Sequence, residues 1–144
     1  MQASLGISQL KNIKKFIFRR NQIAKFYNKK ISGLPLKAQK VKDFKKSSYH
    51  LFTIRLTAKK NRNLRDKLYK FLKKNGIFSN LHYIPLYRHP YFKRFNFKIN
   101  NFPNTENYYK TALSIPIYFS LKNKELNFII NKIKFFFKNI RKSS

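Results

Sequence analysis

The sequence predicts an α+β fold, a small antiparallel sheet covered by helices with a long N-terminal helix, on three observations. Apolar residues recur with helical and with two-residue periods in the order helix, strand, helix, strand, helix, short strand, helix. Glycine or proline falls at the junctions, at Gly33, Pro35, Gly76, Pro85, Pro90 and Pro103. Apolar content is 42%, with 16 Phe and 9 Tyr in 144 residues, enough for one packed core rather than a disordered chain. One domain over residues 1–144 is therefore expected.

The first helix is read over residues 2 to about 31. Leu10, Ile13, Ile17, Ala24, Tyr27 and Ile31 recur at steps of 3, 4 and 7. Phe16, Ile23 and Phe26 widen that stripe, and a helix so apolar needs a large surface to cover it. Left uncovered, these three side chains would form an adhesive patch. No convincing N-cap precedes the stripe, as though the helix began upstream. Ser32-Gly33-Leu34-Pro35 ends it. Residues 36–47 are mostly lysine and polar and read as a solvated loop or edge.

Residues 49–56 alternate, with Phe52, Ile54 and Leu56 on one face, and predict a strand. Asn61 to Asn75 predicts a helix with Leu64, Leu68, Phe71 and Leu72 as its buried stripe. Gly76 closes it in the left-handed conformation. A strand is expected from Ile77 to Tyr83, with Ile77, Leu81 and Tyr83 on one side, Ser79 the polar exception among them, and Phe78, Asn80 and His82 on the other. Pro85 and Pro90 then force a loop. Residues 88–102 read as an irregular basic and aromatic loop. Pro103-Asn104 opens a short helix carrying Tyr108, Tyr109 and Ala112. Residues 113–117 form a short strand or extended turn. The last helix, residues 123–140, buries Leu126, Ile129, Ile130, Ile133, Phe136, Phe137 and Ile140. Three short strands leave much helical surface bare, so a further docking partner is expected.

The formal charge is +30, from 34 basic and 4 acidic residues. Such a balance suggests a nucleic acid or anionic surface as partner. Three details argue otherwise. The basic residues are 26 Lys and 8 Arg, whereas phosphate and base recognition favours Arg. They run from Lys11 to Lys142 without forming a stripe. Asn (16) and Ile (15) are inflated together with Lys and Phe, as an adenine- and thymine-rich coding sequence would give. Nucleic-acid binding is therefore not expected. Cysteine is absent, which excludes disulfide and thiolate chemistry. No run of about 18 apolar residues predicts a membrane span. Residues 1–6 lack a secretory pattern, and a cytoplasmic location is expected.

Candidate chemistry concentrates in residues 75–91, which hold two of the three histidines, three tyrosines and Arg88. A hydrolase triad needs an acid to orient its base. Asp43, Asp66, Glu106 and Glu125 are the only acids, and three of them fall on or near helices and loops read as exposed. No carboxylate pair for glycoside hydrolysis emerges either. His82 and His89 have no acid or Cys nearby to complete a metal site. Glycine occurs only at 6, 33 and 76, so there is no glycine-rich phosphate loop.

Residues 2–10, QASLGISQL, with Arg20-Asn21-Gln22-Ile23-Ala24 and Tyr27, resemble the helix leading into the small domain of DegT/DnrJ-type sugar aminotransferases. Residues 48–56, SYHLFTIRL, resemble the first strand of that domain. Asn75-Gly76-Ile77, His82-Tyr83-Ile84-Pro85-Leu86 and Pro90-Tyr91 resemble its helix–strand–loop segment. Phe102-Pro103-Asn104, Glu106, Tyr108-Tyr109 and residues 112–116, ALSIP, complete the likeness in the same order. Within the family the chain is most similar to enzymes that aminate a 4-keto nucleotide sugar on the way to pseudaminic acid.

The resemblance implies the C-terminal small domain of a fold-type I aminotransferase. It implies pyridoxal phosphate as cofactor, a nucleotide sugar as substrate, an amino donor such as glutamate, and a homodimer. In the family the cofactor's aldehyde is held by a lysine of the large N-terminal domain, where most of the cofactor's other ligands also lie. None of the 26 lysines here stands in a matching context. No catalytic and no cofactor-binding residue is therefore assigned, and no metal ligand. The chain is expected to be a fragment, inactive alone, with Met1 an internal codon or an assigned start. The resemblance places His82 and Tyr83 beside the substrate cleft, with Tyr87 and His89 as weaker candidates; a packed Tyr83 and an ordinary surface histidine are the structural alternative. A stand-alone basic domain binding a polyanion is the competing function.

Overall fold

The computed structural model describes residues 2–42, 45–57 and 63–142. Met1, Asp43 and Asn61, the expected start of the second helix, lie outside them. The described chain runs α1 (Gln2–Ile31), β1 (Leu36–Ala38), β2 (Phe52–Leu56), α2 (Leu64–Lys74), β3 (Asn80–Leu81), α3 (Pro103–Thr111), β4 (Ala112–Ile115) and α4 (Asn123–Lys142). Three 3-10 turns, Leu86–Arg88, Pro90–Phe95 and Ile99–Asn101, fill the loop before α3. The sheet has the order β1-β2-β4-β3 with every pair antiparallel.

The pleat sorts the strands into two faces. Phe52, Ile54 and Leu56 share one face with Leu113, Ile115 and Leu36 across the ladder. All six are buried, in one cluster with Ile23, Tyr27 and Ile31 of α1, Leu64, Leu68 and Leu72 of α2, and the α4 stripe from Leu126 to Phe137. Tyr27 anchors the centre: its ring lies 5.1 Å from Phe52, and its hydroxyl donates to the Pro116 carbonyl at 2.8 Å. Burial holds that phenol un-ionised, its pKa raised well above the usual value, with Tyr118 adding to the shift. The opposite face carries Lys37, Thr53, Arg55, Ala112, Ser114 and Asn80.

Several expectations change. Residues 36–38, read as loop or edge, form the edge strand β1; Leu36 is its one buried residue, too little for a side-chain pattern to reveal. Strand β2 starts at Phe52 rather than Tyr49, because Tyr49 has φ 44° and cannot enter a ladder. The expected strand 77–83 shrinks to Asn80–Leu81. Ile77 is still tied to the helix end, and beyond Leu81 the chain leaves the sheet. Ile77 and Ser79 point inward, whereas Leu81 and Tyr83 are exposed. Ala112, expected in the third helix, opens the central strand β4 instead; α3 passes into β4 with no intervening loop.

Helix α1 is buried only in its second half. Ile23, Ala24, Tyr27 and Ile31 are covered, whereas every described residue up to Lys15 is exposed. The expected patch of Phe16, Ile23 and Phe26 is therefore misplaced. Ile23 is in the core, Phe26 packs against it, and Phe16 rests on Phe119 with ring centroids 4.9 Å apart. The bare large apolar side chains of α1 are Leu5, Ile7, Leu10, Ile13 and Phe18.

Candidate functional site

The site is built outward from the end of α2. The Gly76 amide bonds the Lys73 carbonyl and the Ile77 amide bonds Leu72, both near 3.0 Å, with Gly76 at φ 72°. This pairing is the Schellman arrangement that glycine makes accessible, and it turns the chain toward the sheet. Two residues of β3 pair with β4, and His82 follows on the polar face.

There His82 Nε2 lies 2.7 Å from Ser114 Oγ and 3.1 Å from Thr53 Oγ1, and the two hydroxyls are 3.2 Å apart. Three strand segments thus converge on one imidazole, with Tyr108 packed 5.6 Å from its ring. Burial lowers the His82 pKa, so the ring is neutral at pH 7. Among the described residues no carboxylate meets this imidazole. The Ser114–His82 pair therefore lacks the orienting acid of a nucleophilic triad.

Tyr83 stands clear of the domain, 87% exposed, with its ring edge-on to His82 at 6.5 Å. Together His82 and Tyr83 line an open groove of about 760 Å³ with Arg65, Leu81, Leu86 and Tyr109. Arg65, largely buried, is fixed by Asp66 and by the Tyr109 carbonyl, and its guanidinium lies 5.2 Å from the Tyr109 ring. His89 also borders the groove, its Nε2 3.3 Å from the Ile84 carbonyl. Tyr87 does not line it.

Tyr87 instead belongs to a structural clamp. Glu106 of α3, only 6% exposed, accepts from the Tyr87 hydroxyl at 2.9 Å and from Arg88 through both carboxylate oxygens at 2.7 and 2.5 Å. Lys110 adds a contact at 3.5 Å. The Arg88 hydrogen bonds are the main reason the carboxyl pKa falls to about 2. The Tyr87 ring stacks on Phe102 at 4.6 Å. The clamp fixes the loop after Pro85 and so the outer wall of the groove. Sequence reasoning missed Thr53, Ser114, Arg65 and Glu106. Two signals were present: polar residues inside apolar strands, and an acid one turn into a helix opened by proline.

The donor set does not fit pyridoxal phosphate. A resident cofactor needs a lysine in a sheltered cradle and an acid free to face the ring nitrogen. Among the described residues no lysine is buried, and the one buried carboxylate is engaged by Arg88, Tyr87 and Lys110. No group of three or more potential metal ligands converges among them either. No described helix is long and apolar enough to cross a membrane. What the groove offers is hydrogen-bonding and stacking surface.

The model of the DegT/DnrJ/EryC1/StrS aminotransferase family matches residues 1–134. The UDP-4-amino-4,6-dideoxy-N-acetyl-beta-L-altrosamine transaminase of Campylobacter jejuni is 35% identical over 127 residues, covering 88% of this chain and 33% of that protein. Among solved structures, PseC of Helicobacter pylori, an aminotransferase involved in the biosynthesis of pseudoaminic acid, superposes with a TM-score of 0.87 at 26% identity, covering 96% of this chain and 37% of PseC. Spr1654 from Streptococcus pneumoniae gives a TM-score of 0.87 at 27% identity, covering 97% of this chain and 35% of that one. Spr1654 is known in pyridoxal phosphate and pyridoxamine phosphate forms. The chain spans about a third of the length of the relatives it matches. With a fold, element order and family match extending over almost all its residues, this chain belongs to the DegT/DnrJ/EryC1/StrS aminotransferase family.

Proposed function

We propose that residues 1–144 are the C-terminal small domain, with α1 as its linking helix, of a pyridoxal-phosphate-dependent nucleotide-sugar aminotransferase. The full enzyme would transfer an amino group from a donor such as glutamate to a 4-keto-6-deoxy nucleotide sugar, for surface polysaccharide or glycan synthesis. Pseudaminic acid synthesis is one instance. The observation that carries this reading is the family match over residues 1–134. It is supported by the groove beside His82, whose lining suits a sugar. The imidazole and the Tyr83 phenol can hydrogen-bond hydroxyl groups, while aromatic faces pack on the ring. Because Nε2 is held by Ser114 and Thr53, the ligand bond from this ring falls to Nδ1.

The domain alone supplies no turnover in this reading, since no described lysine sits in a cradle. The whole enzyme works as a cytoplasmic homodimer, the apolar first half of α1 being covered there. The test adds pyridoxal phosphate to the 144-residue chain, alone and with a relative's cofactor domain supplied by fusion or co-expression. Borohydride trapping and amination of the nucleotide sugar are then followed. Alone, the chain should show neither stoichiometric trapping nor turnover; with the cofactor domain, both should appear. One stoichiometric lysine with turnover in the isolated chain would refute the proposal, as would a folded, dimeric fusion without activity.

A further inference from the structure

We infer that the open face of the sheet holds a small phosphate-type oxyanion between Lys37, Lys40 and Arg55. The register pairs Lys37 directly with Arg55, so both side chains stand on the same face of adjacent strands. Directly opposed like charges, with Cβ atoms about 4.5–5.5 Å apart, destabilise a ladder. Lysines on helices and loops can swing apart; a registered strand pair cannot move its roots.

Among the described residues no carboxylate pairs with Lys37 or Arg55. The described acids are engaged elsewhere: Asp66 by Arg65, Glu106 by Arg88 and Lys110, Glu125 by the Lys122 amide at 2.6 Å. Among the described residues Lys37, Lys40 and Arg55 form no ion pair. They line a groove of about 1020 Å³ with Asn28, Thr53 and Tyr108. The Arg55 guanidinium lies 5.7 Å from the centre of the Tyr108 ring, a contact that orients its planar fork. Such a fork, flanked by two ammonium groups, suits an anion with several oxygens and more than one charge. The Asn28 side-chain amide can add a hydrogen bond.

This inference stands on the charges of the sheet and does not depend on the aminotransferase reading. The test is calorimetric titration of the 144-residue chain with inorganic pyrophosphate at 150 mM salt, which screens diffuse attraction. One saturable site is expected. Arg55→Gln should weaken it at least tenfold, and Lys37→Gln several-fold. Lys124→Gln and Lys134→Gln, on the exposed side of α4, should leave it unchanged. Parallel titrations use glutamate and a short single-stranded RNA. Equal affinity for glutamate, multi-chain RNA binding that outcompetes pyrophosphate, or the same small loss in all four variants would overturn the inference. So would the absence of saturation. A second readout needs no ligand: Lys37→Gln should raise the melting temperature by relieving the opposed charges, and a fall would contradict the argument.

Discussion

The two faces of this sheet are made by the same strands and have opposite characters. Phe52, Ile54, Leu113 and Ile115 face α1, α2 and α4, and none contributes a polar side-chain atom. One residue along, Thr53, Arg55 and Ser114 face the other way, beneath His82 and Tyr108. Hydrophobic burial holds the fold together on the first face, and it is indifferent to direction. On the second face each polar group must find a partner of suitable geometry, because burying one unpaired is costly. That face is accordingly where specific side-chain networks occur, and it is where a ligand can bind without opening the core.

Substitution along β2 breaks this contrast most sharply. Phe52→Ala removes a fully buried ring from the centre of the cluster and should cost about 3–5 kcal/mol in denaturant melts. Arg55→Ala, three residues away on the exposed side, should change stability by less than about 0.5 kcal/mol. Similar costs for the two would mean that the open face is as structural as the covered one.

The Glu106 clamp gives a smaller, pH-dependent effect. Its carboxyl pKa falls from the ordinary 4.5 to about 2 in the folded chain, chiefly through Arg88. A group held lower in the folded state stabilises it fully above pH 4.5, and that contribution is lost as pH falls from 4.5 toward 2. Stability measured by urea between pH 2 and 6 should therefore drop along this limb. Glu106→Gln should be less stable at pH 6 and show a flatter acid limb. An unchanged slope in the variant would remove Glu106 as the pin of the loop.

The apolar stripes of α2 and α4 were legible in the sequence, and so was the glycine stop at residue 76, because helical period and φ > 0 are local properties. The stripe along α1 was equally legible, but not which half of it would be covered. Leu10 and Tyr27 lie on one stripe, yet Leu10 is 66% exposed and Tyr27 is wholly buried. Burial depends on where the sheet stops, which is not written in the helix. Strand β1 was hidden because a three-residue edge is defined by its backbone partner rather than by its side chains. His82 was singled out through its sequence neighbourhood and the family likeness. Its partners Thr53 and Ser114, 29 and 32 residues away, come together only when β2 and β4 pair. The anchoring role of Glu106 was not legible because its partners come from a loop with no periodicity.

The claim that the polar face is the business side of the domain rests most directly on His82 and Tyr83. With a relative's cofactor domain supplied by fusion, the apparent affinity for the proposed nucleotide-sugar substrate should be measured for the parent, His82→Ala and Tyr83→Phe. Circular dichroism should confirm unchanged folding in each. Loss of one neutral hydrogen bond should weaken binding by roughly 0.5–1.5 kcal/mol, up to about tenfold, in at least one variant. If both variants bind and turn over like the parent, the groove beside His82 is a structural feature and the substrate lies elsewhere.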